Sequence, residues 1–155
     1  MSDNSTPPNN NSVIFIHPDG TTPSHYALAR YETAGPDGRI NWDRMDSAGS
    51  YLSHIGDQLT ATSNAGAVVH AYGVKPQAGS YGLDEAGNPI ASLSAREGLT
   101  DEGMTIMEEA IAAGKATAVI NSGFIAEPGT GVFLADVENR GETEAITAEI
   151  VESGG

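Results

Sequence analysis

The sequence contains no cysteine, which excludes disulfides, a thiolate nucleophile and thiolate metal sites. Basic residues are scarce: two lysines (Lys75, Lys115) and five arginines stand against 21 acidic residues, a formal net charge of −14. A nucleic-acid ligand is excluded on that ground, because phosphate backbones are bound by Lys and Arg clusters. An anionic membrane surface is disfavoured in the same way. No apolar run approaches the roughly 18 residues of a membrane span. Met1 is followed by a polar Ser/Asn/Pro stretch rather than by a basic and then apolar leader, so no signal peptide is visible. The phosphate-binding patterns G-x-x-x-x-G-K-[ST] and G-x-G-x-x-G are missing. No G-x-S-x-G elbow occurs, since Ala61 and Ala65 flank Ser63. His17, His25, His54 and His70 form no H-E-x-x-H pair, and no internal repeat is visible.

What is present fits about one domain: 155 residues, 39% of them hydrophobic, enough for a core. Residues 1–12 are polar and predict a disordered arm, leaving 13–155 as the folded part. Val13 to Ile16 is a short β-branched and aromatic run, suited to a strand covered on both faces, and it ends at the turn His17-Pro18-Asp19-Gly20. A helix is expected from Pro23 to Tyr31, with Thr22 as N-cap and Pro23 at the first helical position. Trp42, Met45 and Tyr51 are candidates to cover core beside the first strand, and Ser50 to Ile55 is a candidate second strand. Ser63 to Tyr72 is small and apolar and stops at Gly73, which predicts a helix packed closely on a sheet. Residues 74–100 are rich in Gly and Pro and read as mostly loop. Ile106, Met107, Ala110 and Ile111 share one face of a helix from Thr105 to Ala113, ended by Gly114. Ala116 to Ile120 predicts a strand, and Glu142 to Glu152 a last helix with Ile146 and Ile150 on one face. This order of elements suggests an open α/β sheet whose next strand, after the last helix, is missing.

In such a sheet, ligands gather at the carboxyl ends of the strands. Asp19, directly after the first apolar run, is placed there, and its carboxylate could hold a hard or borderline cation. The alternative is an ordinary Asp-Gly turn. Ser63 sits where a helix begins, a position that offers open N–H groups and partial positive charge to a phosphate. Its hydroxyl could be a nucleophile, or it could simply cap the helix. Glu127 and Thr130 lie three residues apart on a tight turn and could share one cation, unless they are a solvated loop edge. Arg140 could clamp two phosphate oxygens in a fork, or could pair at the surface with Glu138 or Glu142.

Taken in order, these segments resemble the alkaline phosphatase family. The resemblance runs through Val13-Ile14-Phe15-Ile16-His17-Pro18-Asp19-Gly20, then Thr62-Ser63-Asn64-Ala65-Gly66-Ala67 and Gly73-Val74-Lys75. It continues through Thr105 to Ala110, Ala113 to Thr117, Glu127 to Thr130, and Arg140. It implies a three-layer α/β fold with a largely parallel central sheet, incomplete in this chain. It implies a phosphomonoester hydrolase that uses zinc and magnesium and passes through a phosphoserine intermediate. Asp19 then matches a carboxylate bridging the two metals, Ser63 the metal-activated nucleophile and metal ligand, and Arg140 the phosphate clamp. Glu127 and Thr130 fall near the family's magnesium ligands. Two departures stand out: Thr62 replaces the usual Asp before the nucleophile, and Glu127 and Thr130 are three residues apart where two is usual.

The family's remaining metal ligands lie further along a longer chain, so this chain alone is expected to be inactive. The resemblance also suggests a homodimer in a full-length parent and a periplasmic or secreted location. Two other readings compete. A related sulfatase or phosphomutase would share the fold, although Ser63 lacks the neighbouring Pro and Arg of a sulfatase motif. A non-catalytic acidic interaction domain would need only to fold and stay soluble.

Overall fold

A computed structural model describes residues 12–99 and 103–153, so the polar arm expected over 1–12 falls almost wholly outside the described residues. Among the described residues six α-helices follow one another: α1 (Pro23–Ala34), α2 (Ser63–Tyr72), α3 (Leu93–Arg96), α4 (Ile106–Ala112), α5 (Pro128–Gly131) and α6 (Thr143–Ser153). A 3₁₀ turn, Asn41–Arg44, separates α1 from α2.

The helix ends follow local chemistry. In α1, Thr22 is the N-cap and its backbone N–H donates to His25 Nδ1 at 2.9 Å, with Pro23 opening the helix as expected. Gly73 closes α2 at φ +71, a left-handed conformation that favours glycine. Thr105 caps α4 through a capping box. Its hydroxyl accepts from Glu108 N at 3.1 Å, while the Glu108 carboxylate accepts from Thr105 N at 2.8 Å.

The core is assembled around α2. Ala67, Val68, Ala71 and Tyr72 pack with Val74, Tyr81 and Ile90 from the following loop, with Val132 to Ala135 and Val137, and with Ile146 of α6. Helix α2 packs against α4 and α5, and α5 against α6. Buried side chains bonded to backbone tie distant segments together: Tyr81 donates to Ala126 O at 2.9 Å, Thr105 to Phe133 O at 2.7 Å, and Asn64 Nδ2 to Ala78 O and Ser80 O at 2.9 and 2.8 Å. Such bonds satisfy groups that would otherwise be costly to bury.

The sheet expected from the sequence is not formed by the described residues. Val13 to Ile16, Ser50 to Ile55 and Ala116 to Ile120 enter no ladder, and β pairing is limited to isolated bridges of Tyr81 and Gly82 with Val137 and of Leu83 with Pro89. A strand is held by ladder hydrogen bonds to at least one neighbouring strand, and these runs form none among the described residues. Val13, Ile14 and Ile120 are 91%, 86% and 90% exposed. Trp42, Met45 and Tyr51 are also exposed rather than covering core. Trp42 instead stacks on Tyr26 of α1 at 4.6 Å, beside an Arg30–Asp43 ion pair. That pair, with the Ile40 N–H, lowers the Asp43 carboxyl to about 2.

Candidate active site

Ser63 is the first residue of α2, and it is not the cap. The capping hydroxyl belongs to Thr62, which accepts from Ala65 N at 3.3 Å and donates to Ala78 O at 2.7 Å. Among the described residues the Ser63 hydroxyl takes part in no hydrogen bond, and the side chain is half-buried. The amides of Ala65 and Gly66 are taken up by Thr62, through its side chain and its carbonyl. Those of Ser63 and Asn64 stay open at the positive end of the helix dipole. An oxyanion set against this terminus would meet open N–H groups and a free hydroxyl together.

Asp19 is exposed in the turn after Ile16, with Thr21 N donating to Pro18 O at 3.1 Å. The turn is anchored by His17, whose ring lies 5.0 Å from that of His70 in α2 and 6.4 Å from that of Phe15. A Cβ on Gly129 of α5 would stand 3.6 Å from His17 Nδ1, so the ring packs directly on that glycine. Asp19 is thus tied, two residues away, to the helix that carries Ser63 and to the one that follows Glu127. The Nδ1 atoms of His17 and His70 are buried without a hydrogen-bond partner. Burial first, and then His17, lowers the His70 pKa, which favours a neutral ring.

Glu127 and Arg140 meet. Arg140 Nη2 donates to Glu127 Oε2 at 3.2 Å, both side chains about half exposed. The acids nearest Arg140 in sequence are not its partners. Glu142 Oε1 instead accepts from Asn139 N at 2.7 Å, closing the turn on which Arg140 sits. Thr130 is turned inward: its hydroxyl donates to Ile125 O at 2.8 Å and accepts from Asn121 Nδ2 at 2.9 Å. Asn121 was not singled out in the sequence. The signal available was a polar side chain directly after the apolar run Ala116–Ile120. Tyr81 lies close to the pair: burial raises its hydroxyl pKa most, Arg140 lowers it and Glu127 raises it.

These donors do not fit a metal ion as they stand. Glu127 is engaged by a guanidinium, and the Thr130 hydroxyl is committed to Asn121 and Ile125. Asp19 is a single open carboxylate. Among the described residues no group of three His, Cys, Asp or Glu side chains converges. Zinc asks for about three protein ligands and magnesium for about six oxygen donors in all. The structure therefore brings Glu127, Thr130 and Arg140 into one neighbourhood and ties the Asp19 turn to it through His17. Among the described residues the Ser63 side chain, at the head of α2, makes no hydrogen bond to any of them.

The architecture matches a solved structure, that of a cold-active alkaline phosphatase from a psychrophilic Shewanella, with a TM-score of 0.72 and 26% sequence identity. The match covers 87% of this chain and 32% of that one, so the chain spans about a third of the length of that relative. The fold over this stretch is that of alkaline phosphatases. The family model for alkaline phosphatase matches residues 10–154, and the chain belongs to the alkaline phosphatase family. No curated protein matches the sequence significantly.

Proposed function

We propose that this chain is the nucleophile-bearing part of a phosphomonoester hydrolase, with Ser63 as the nucleophile. The observation that carries this is the division of labour at the start of α2. Thr62 does the capping, which leaves the Ser63 hydroxyl and two amides open at the positive helix end. Family membership supplies the substrate class, phosphate monoesters.

The chain's own residues divide the work as follows. The open amides of α2 hold a phosphate oxygen. The Ser63 Oγ attacks phosphorus in line with the ester oxygen, the P–O ester bond breaks, and the alcohol leaves with the electron pair and takes up a proton. Water then attacks the phosphoserine and releases inorganic phosphate. Arg140 steadies the phosphate oxygens through its planar fork. Asp19 is the open carboxylate that would face the family's metals, which when bound would supply Lewis-acid activation of a hydroxyl.

The same reading accounts for the exposed apolar runs. Val13 to Ile16 and Ala116 to Ile120 are proposed as strands of the family's largely parallel sheet, paired when the remaining two thirds of such a domain is present. Alone, the chain is proposed to be inactive.

The test joins this chain to the complementary part of the Shewanella relative. The joined protein is exposed to p-nitrophenyl phosphate, quenched in acid and mapped by peptide mass spectrometry. Phosphate on the peptide containing Ser63, lost in Ser63→Ala, is the expected result. A functional hybrid that never carries phosphate on Ser63, or that turns over equally with Ser63→Ala, rules the nucleophile assignment out.

A further inference from the structure

We propose that Glu127 is the counter-ion that positions Arg140, and is not a cation ligand in this protein. This rests on the reading of Arg140 as the phosphate-binding residue and changes the part played by its neighbour.

Three features of the geometry lead to it. First, the pairing is non-local. Arg140 bypasses Glu138 and Glu142, although both are closer in sequence, and reaches thirteen residues back to Glu127. Second, both partners are presented by fixed backbone. Glu127 is the N-cap of α5, its carbonyl accepting from Thr130 N and Gly131 N at 3.0 and 2.9 Å. Arg140 sits in a turn closed by Asn139 Oδ1, which accepts from Gly141 N at 2.8 Å, and by Glu142. The two supports are locked together by packing: the Tyr81 hydroxyl bonds Ala126 O, directly before Glu127, while Tyr81 bridges to Val137, three residues before Arg140. A Cβ on Gly131 would run into the Tyr81 hydroxyl and approach Ile146 Cγ2 to 3.0 Å, so the approach of α5 to this anchor needs glycine there.

Third, the contact uses one nitrogen. A single bond to Nη2 leaves one two-pronged edge of the guanidinium open for two oxygens of a phosphate. No carboxylate next to Ser63 competes for Arg140, because Thr62 is uncharged and its hydroxyl is spoken for on both sides. Thr130, the other residue placed near a magnesium ion by the resemblance, has likewise turned its hydroxyl to Ile125 O and Asn121. A half-exposed pair of this kind is weak, so it acts by restricting where the guanidinium points rather than by stabilising the fold.

The experiment is solution NMR on the chain as it is, on Glu127→Gln and on Arg140→Gln. In Glu127→Gln the Arg140 Nε–H signal should show a lower heteronuclear NOE, the mark of a freed side chain, with the circular dichroism unchanged. Titrating Mg²⁺ should leave the amides of residue 127 and of Gly129 to Gly131 equally unmoved in the unsubstituted chain and in Glu127→Gln. In Arg140→Gln, where the carboxylate is released from its only ion-pair partner among the described residues, Mg²⁺ should now shift these amides. Mg²⁺ shifts at residue 127 and at Gly129 to Gly131 in the unsubstituted chain that vanish in Glu127→Gln would overturn the proposal, as would unchanged Arg140 mobility in Glu127→Gln. Inorganic phosphate is titrated separately. If it fails to move the Arg140 Nε–H, the phosphate-binding reading fails, while the mobility and Mg²⁺ results still decide the role of Glu127.

Discussion

Replacing Gly82 by alanine is expected to destabilise the protein by about 2–5 kcal/mol, combining positive-φ strain with overpacking. Gly82 has φ +98, a conformation that L side chains rarely adopt. An added Cβ would overlap Asp136 Oδ1 and come within 3.0 Å of Asp136 Cγ and 3.2 Å of its Cα. That carboxylate cannot simply swing away, because it accepts the buried Tyr72 hydroxyl at the end of α2. The Gly82 carbonyl also accepts from Ile90 N at 2.9 Å, which limits backbone relaxation. Native stabilities of about 5–15 kcal/mol make this a large fraction of the total. Gly87 provides the comparison. Its φ is +77, but the nearest atom to an added Cβ is Glu138 Oε1 at 3.8 Å, so alanine there brings strain without a clash. Urea unfolding of both variants separates the two contributions, and equal losses at positions 82 and 87 would show that the Asp136 contact carries no weight.

Asp136→Asn should remove a pH dependence of stability. Burial raises the Asp136 carboxyl to about 6 from its ordinary 3.8, against the opposing effect of the Tyr72 hydroxyl and with help from Glu108 on α4 and Glu149 on α6. The native state thus prefers the protonated acid. Its contribution is fully present below the unfolded value of 3.8 and is lost as pH rises through about 6. The interval between those values corresponds to at most about 3 kcal/mol. The asparagine variant keeps a carbonyl for Tyr72 but cannot ionise. Relative to that variant, the natural chain should weaken by about 2–3 kcal/mol between pH 4 and pH 7. Denaturant midpoints measured for both proteins across that range test this, and parallel curves would contradict it.

Helices α1, α2, α4 and α6 were legible in the sequence because their signals are local, whereas the single-turn helices α3 and α5 fall in stretches that read as loop and turn. Small apolar residues ending at Gly73 define α2, and Thr105 with Glu108 marks the start of α4. Legibility fails where a contact joins distant segments. The apolar, β-branched character of Val13 to Ile16 predicts what the segment would do beside a strand, but says nothing about whether such a strand is present. Trp42 reads as core material by its size, yet it finds Tyr26 on the surface of α1. At the candidate site, Ser63 was legible as a residue at a helix start, while the choice between capping and chemistry needed the Thr62 hydroxyl placed. The partner of Arg140 was out of reach from sequence for the same reason. Glu138 and Glu142 are near along the chain, whereas Glu127 is brought near by Tyr81, which is distant from both residues in sequence.

The central reading is that Ser63 is a nucleophile whose site this chain does not complete alone. The most direct measurement is hydrolysis of p-nitrophenyl phosphate at alkaline pH with added zinc and magnesium, by the 155-residue chain beside Ser63→Ala and a chelated control. The expected result is no turnover above the Ser63→Ala background. Turnover that disappears with Ser63→Ala and with the chelator would contradict the claim of incompleteness, and would mean that the chain assembles a working metal site by itself.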